Sequence, residues 1–542
     1  MTAPSPLPPP TSPTSPTTGA PAGYFTYVGL AAVSFVLAAA LRHLLDHNEA
    51  DVLVAALHAR DPSFIPGDWY LDLPVPYRDL YNVVAGSLAK SIGILPAAVV
   101  GRLVGIACVS AALAALFRRL RVHPALVAPL LVLYQRYRSV VAEEWIVGSF
   151  ETKTFAYAAV LGALLLAHRR RWVAAAGLTG LAVSCHVLVG TYAAGTLVLA
   201  LLWSRRDPVA DASTNGHRAS RTPAGWLLPV VAGLVAATPG LVSIARMFQA
   251  AAGVDHRAAG EIYVLLRVPH HTYPPHWDTP GSILRGGLSL GVLLAGLRSG
   301  RTATTRFVAR YALASSVFAA VGLLVLACGR VDLLKVYWFR FPDAMWPLGA
   351  TLVAGALVTE RVPGPRGRAR VAAVAASCLV WATLVPAFAR DARALATSTR
   401  ADPVYLRTMP SGVRAALLWV RDHAPVDATV LVDPFLSRTH LATERAQVVS
   451  FKCVPQTDRE ILAWAARLAN LAGVADLRTD GGAALRRLEA DAYRLPAATV
   501  SRAARDFGAR YYVAAADHVL PYPVAFEGGG FRVYALGGAT GG

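Results

Sequence analysis

The sequence predicts a helical, polytopic membrane protein of about eleven spans that ends in a small α/β domain. Three observations carry that prediction. Of 542 residues, 55% are hydrophobic and 16% charged, against about 25% charged in soluble domains, and the mean hydropathy is +0.45. Apolar stretches recur at lengths suited to a hydrocarbon core of ~30 Å. Beyond about residue 400 that rhythm gives way to amphipathic helices and short apolar strands.

Residues 1–22 are rich in Pro, Ser and Thr and carry no charged side chain, a composition that buries too little apolar surface to fold. The run Tyr24–Leu41 has signal-peptide length, but no basic segment precedes it, so it reads as a retained first span. Further apolar stretches follow near 97–117, 124–134, 154–168, 172–186, 188–203, 226–246, 281–297, 307–328, 343–359 and 371–389. An N-terminus on the cytoplasmic side puts Arg118–Arg121, Arg169–Arg171, the 204–222 loop, the 298–306 loop and Glu360–Arg370 on that side. All are rich in Arg, as the positive-inside bias requires. The same parity puts 43–80, 135–153, 247–280, 329–342 and the soluble domain, 396–542, on the other face; the expected location is a bacterial plasma membrane.

In the soluble domain, Ser411–His423 is amphipathic, with Ser411 as cap, and Ala428–Val432, Ala446–Phe451, Arg510–Ala514 and Phe531–Leu536 read as strands. Thr457 and Glu460 form a capping-box pattern opening a helix through about Leu471. No GxGxxG, P-loop or GxSxG motif is present, so nothing indicates nucleotide binding or serine hydrolysis.

The formal charge of +19 would suggest nucleic acid in a soluble protein. Here the Arg residues fall between spans without interleaved aromatics, so no nucleic-acid partner is expected. The five cysteines show no CxxC spacing, which gives neither a zinc framework nor a disulfide scaffold.

The segment Asn48-Glu49-Ala50-Asp51 through Gly67-Asp68-Trp69 follows the first span. Carboxylates at a membrane boundary can serve as a general base or hold a divalent metal; the alternative is a solvated helix end. On a helix, Glu49 and Asp51 would point to different sides, whereas Asp46 and Glu49 share a face. Glu151 and Lys153 are candidates for an acceptor hydroxyl or metal and for a phosphate, against an exposed ion pair worth little. His186 is a candidate ligand-lining residue or a packing histidine. The 247–280 loop holds His270, His271, His276 and Asp278 among Pro and aromatic residues, which suits a substrate-lining loop or an interfacial belt. Adjacent histidines do not easily face one ion. Arg340 and Lys335 flank Tyr337-Trp338-Phe339 and could grip a phosphate or snorkel to headgroups.

This layout resembles the GT-C superfamily of membrane glycosyltransferases, in particular an uncharacterised bacterial branch with a C-terminal soluble domain. Asn48-Glu49, Ala55-Ala56 and Gly67-Asp68-Trp69 are similar to the family's Asp-Glu, small-residue, Gly-Asp-Trp progression, with Asn48 standing in the place of the first Asp. The branch likeness runs through Asp61–Ser63 with Pro66–Asp68, Phe150–Lys153 with Phe155–Tyr157, His186–Gly190, Val448–Lys452, Pro455 and Trp464–Leu468. The resemblance implies transfer of a sugar from a polyprenyl-phosphate donor to an acceptor on the non-cytoplasmic face. Glu49, Asp51 or Asp68 would supply the base, and a cation such as Arg340 or Lys153 would meet the departing phosphate, with a divalent metal as a possible cofactor. The rival expectation is a non-catalytic transporter or a lipid- or polymer-handling protein on the same scaffold.

Overall fold

The computed structural model describes residues 23–46, 48–73, 78–205, 224–250, 253–361 and 368–537. The 1–22 tail, His47, most of the 204–222 loop and residues 362–367 lie outside the described residues.

Among the described residues, seven helices are long and apolar enough to cross a membrane, at Ile94–Arg119, Val187–Ser204, Gly225–Gln249, Thr279–Ser299, Ala303–Ala327, Arg340–Arg361 and Val374–Ala396. Shorter apolar helices occupy Tyr24–Ala40, Thr152–His168 and Trp172–Cys185. The expected span at 124–134 is a single turn followed by the helix Val127–Arg136; ten residues rise only ~15 Å, half a bilayer core. Large apolar side chains such as Leu227, Leu228, Val235, Ile283, Leu324, Val371 and Leu379 face outward. Water would penalise such a surface, and a bilayer explains it.

The arginine-rich ends gather at one end of the bundle. Tyr24, Ala115, Arg118, Arg119 and Arg169 line a cavity of about 440 Å³ there. His123 N–H donates to Thr359 Oγ1 at 3.1 Å, and Arg301 N–H to Glu360 Oε2 at 2.9 Å. The remaining loops meet at the opposite end, under the C-terminal domain.

The first of those loops folds into the helix Asn48–Arg60, paired with the helix Asp79–Ile92. Their approach depends on Gly86: a Cβ there would lie 2.0 Å from the Ala56 carbonyl oxygen. Gly101, in the helix Ile94–Arg119, makes similar room for the Phe150 ring.

The C-terminal domain is a five-stranded sheet in the order β2-β1-β3-β5-β4. Strands β1 (Thr429–Leu431), β2 (Ala446–Gln447) and β3 (Ala509–Ala515) run parallel. The hairpin of β4 (Val524–Gly528) and β5 (Phe531–Ala535) adds antiparallel to β3. The helix Ser411–His423 has the expected bounds but begins after Pro410 as cap, and Asp458–Ala472 begins after Thr457 without a side-chain capping bond. The domain's core merges with the loops at this end of the bundle: Ala259, Ile262, Tyr263, Val268 and Tyr337 pack into one cluster with Leu431, Trp464 and Tyr512.

Candidate functional site

Glu49 begins the 48–60 helix facing the bundle and is fully buried. Arg102, the one cation in the interior of the apolar helix Ile94–Arg119, whose other arginines lie in its last turn, donates to both of its oxygens, Nε to Oε1 at 2.7 Å and Nη2 to Oε2 at 2.5 Å. The Leu45 and Phe150 amides complete the carboxylate's shell at 2.8 and 2.6 Å. Arg102 also donates to the carbonyls of Ala39, Arg42 and His43, the orphan acceptors at the end of the first apolar helix. Each charge offsets the other, and every remaining lone pair is used. Glu49 is therefore a latch joining the first two loops at this end to the first apolar helix, with no lone pair left to take a proton.

Asp68 is held just as fully. Its Oδ1 accepts from the Tyr70 and Leu71 amides, both at 3.0 Å, and its Oδ2 from His440 Nε2 and the Gln447 amide, both at 2.9 Å. Burial pushes this carboxyl up, but the His440 charge and the hydrogen bonds outweigh it and hold it below the usual carboxylate range. Asp68 pins the first loop to the C-terminal domain.

Asp51 differs. Two residues beyond Glu49, it turns to the other side of the helix, as the spacing predicted, and makes no hydrogen bond or close ion pair with the described residues. Burial raises its carboxyl above the ordinary value, against the fields of Lys452, His440, Arg267 and Arg78. Two of these four cations, Lys452 and His440, come from the C-terminal domain.

Lys452 lies within the electrostatic reach of Arg267, Asp51 and Glu151, and burial lowers its ammonium. Arg267 donates to the Lys452 carbonyl at 3.1 Å and stacks on Phe451. Glu151 leads to the second half of the site. Lys153 is buried with Glu144 Oε1 at 3.8 Å and Glu151 Oε2 at 3.7 Å, and its Nζ lies 3.5 Å from the centre of the Trp145 ring. Among the described residues, no hydrogen bond reaches Lys153 Nζ, Glu144 Oε1, Glu151 Oε1 or Tyr157 Oη. So many orphaned groups in one place cost free energy, and a polar ligand would satisfy them.

Arg340 Nε donates to Glu144 Oε2 and its guanidinium lies over the Tyr337 ring; its terminal nitrogens make no bond among the described residues. His186 caps the helix Val187–Ser204 by accepting from the Val189 amide through Nδ1, so its proton sits on Nε2. That ring lies in the fields of Arg340, Lys153 and Arg78. Asp343, one turn beyond Arg340, accepts from Ser139 Oγ and the amides of Val140, Val141 and Glu144, which fixes the loop carrying Glu144.

Pairwise, the structure thus links Asp51 to Glu151 through Lys452, Glu151 to Lys153, and Lys153 to Arg340 and His186, in one charged cluster where these loops meet the C-terminal domain. Lys335 is elsewhere: its Nζ binds both oxygens of Asp458, at 2.7 and 2.9 Å, with His256 on the same carboxylate at 2.6 Å. It ties the domains together. Sequence reasoning missed Arg78, Arg267, His440, Lys452 and Arg102. Only Arg102 carried a local signal, a single cation inside an apolar helix, where charge is costly.

A family model described as a domain of unknown function (DUF6798) matches residues 411–471. That segment supplies His440, Gln447, Lys452 and Asp458 to the contacts above. No curated protein matches the chain.

Proposed function

We propose that the chain is a GT-C-like glycosyltransferase that takes a sugar from a polyprenyl-phosphate donor at the non-cytoplasmic face of a bacterial plasma membrane. The observation that carries this reading is the contrast between Asp51, whose carboxylate bonds to no described residue while Lys452 and Arg267 lie within its electrostatic reach, and the fully engaged Glu49 and Asp68. Asp51 is the base: it takes the acceptor hydroxyl proton as the acceptor oxygen bonds to the anomeric carbon. The bond from that carbon to the phosphate oxygen breaks, and the lipid phosphate leaves with the electron pair. Arg340, Lys153, Arg267 and Lys452 stabilise the charge that develops on it. A carboxyl held above its usual value suits the base, because basicity rises with it. Glu49 and Asp68 take structural roles in this mechanism.

The test is sugar transfer by purified protein supplied with labelled polyprenyl-phosphate sugar. Asp51→Asn is expected to lower the rate by about 10²–10⁴-fold with an unchanged unfolding midpoint. The wild-type rate is expected to fall as pH drops through the raised carboxyl value. Transfer by Asp51→Asn at the wild-type rate would refute the mechanism.

A further inference from the structure

Within electrostatic reach of Arg340 and Lys153, Glu143, His270 and His271 bring their ligand atoms within 4.8 Å of one another. We infer that they form a transition-metal site of the zinc class, built from two outer loops that are far apart in the chain. The inference does not depend on the transferase reading.

The geometry removes the sequence-level objection to adjacent histidines. The short helix Pro269–Thr272 turns the two rings to one side, with centroids 4.0 Å apart and planes inclined by 48°. His271 Nδ1 lies 2.7 Å from the Ala142 carbonyl oxygen. A carbonyl only accepts, so the proton is on Nδ1 and the Nε2 lone pair is free. This is the outer-shell bond that fixes ring orientation and tautomer in metal-binding histidines. The acceptor is the residue before Glu143, so one contact aligns both loops.

Glu143 is presented by backbone in the left-handed region, at φ 53°, within the loop that Asp343 holds by its three amides and Ser139. Neither the Glu143 carboxylate nor the His270 ring bonds to any described residue. His271 is thus oriented, and the Glu143 and His270 groups are available beside it.

Two imidazoles and one carboxylate favour zinc, cobalt or nickel over magnesium or calcium, which want oxygen ligands throughout. Tetrahedral ligands at ~2.1 Å from zinc stand ~3.4 Å apart, so closure needs a side-chain movement of about an ångström. Three protein ligands leave the fourth position to water or an anionic oxygen. Arg340 lies close enough to affect His271, which favours an anion there.

The experiment titrates full-length, untagged protein in detergent with cobalt(II), following its visible ligand-field bands, and then displaces it with zinc. One cobalt per chain is expected. Glu143→Gln, His270→Ala and His271→Ala should each weaken binding at least tenfold, and His276→Ala, on the same loop, should not. If His271→Ala unfolds, Glu143→Gln decides, because its side chain bonds to no described residue. Absence of the bands in wild-type protein, or wild-type affinity in Glu143→Gln, would overturn the inference.

Discussion

The two ends of the helical bundle use charge in opposite ways. At the arginine-rich end, Arg118, Arg119 and Arg169 are exposed and surround an open cavity. At the other end Glu49, Arg102, Glu144, Lys153 and Asp343 are buried. An exposed arginine keeps its hydration and asks little of the fold. A buried charge costs several kcal/mol, so each must be offset by partners or retained for chemistry. The outer charges divide along that line. Glu49, Arg102, Asp68 and Asp343 are fully engaged and hold the scaffold, whereas Asp51 and Lys153 make no hydrogen bond through their charged groups among the described residues.

Three substitutions sharpen this comparison. The largest effect is expected from Glu49→Gln, which leaves the Arg102 guanidinium buried without its counter-charge. A loss of about 3–5 kcal/mol should appear as a lower thermal midpoint and less monodisperse protein in detergent. A wild-type midpoint would mean that the latch does not hold the outer loops.

Asp68→Asn comes next, at about 1.5–3 kcal/mol for lost charge-assisted hydrogen bonds, and it should alter the pH dependence of domain docking. The lowered Asp68 carboxyl gives stability that is present above the ordinary value of about 4 and lost as pH falls through the lowered one. His440 shifts the other way: burial pulls its imidazole down, but the Asp68 charge and hydrogen bond outweigh that and raise it. Its share is complete below about 6.5 and is lost as pH rises through the raised value. Resistance of the interdomain contacts to limited proteolysis should therefore be greatest between those limits in wild type. In Asp68→Asn it should vary much less with pH; an unchanged profile would sever the link to this pair. Smallest is Arg119→Ala at the opposite end, expected to move the midpoint by no more than about one degree, as exposed substitutions do.

Much of the architecture was legible locally. Apolar runs marked the helices, and the five-residue stretch Ala428–Val432 located β1 to within one residue at each end. Strand β4 escaped because none of its residues is fully buried, so no alternation marks it. The capping-box pattern at Thr457 misled in detail, since its hydroxyl is buried without a partner among the described residues. For the site, spacing told that Glu49 and Asp51 face apart, but not which of them is neutralised.

What the sequence determined by itself is whatever depends on neighbours within a few turns: hydropathy, helix length, the Arg bias of alternate loops and the sidedness of Asp51. Tertiary structure alone decided which charges are spent. Arg102 meets Glu49 across 53 residues and His440 meets Asp68 across 372. Whether a carboxylate is a latch or a base depends on the donors around it, and those donors come from parts of the chain that only folding brings together.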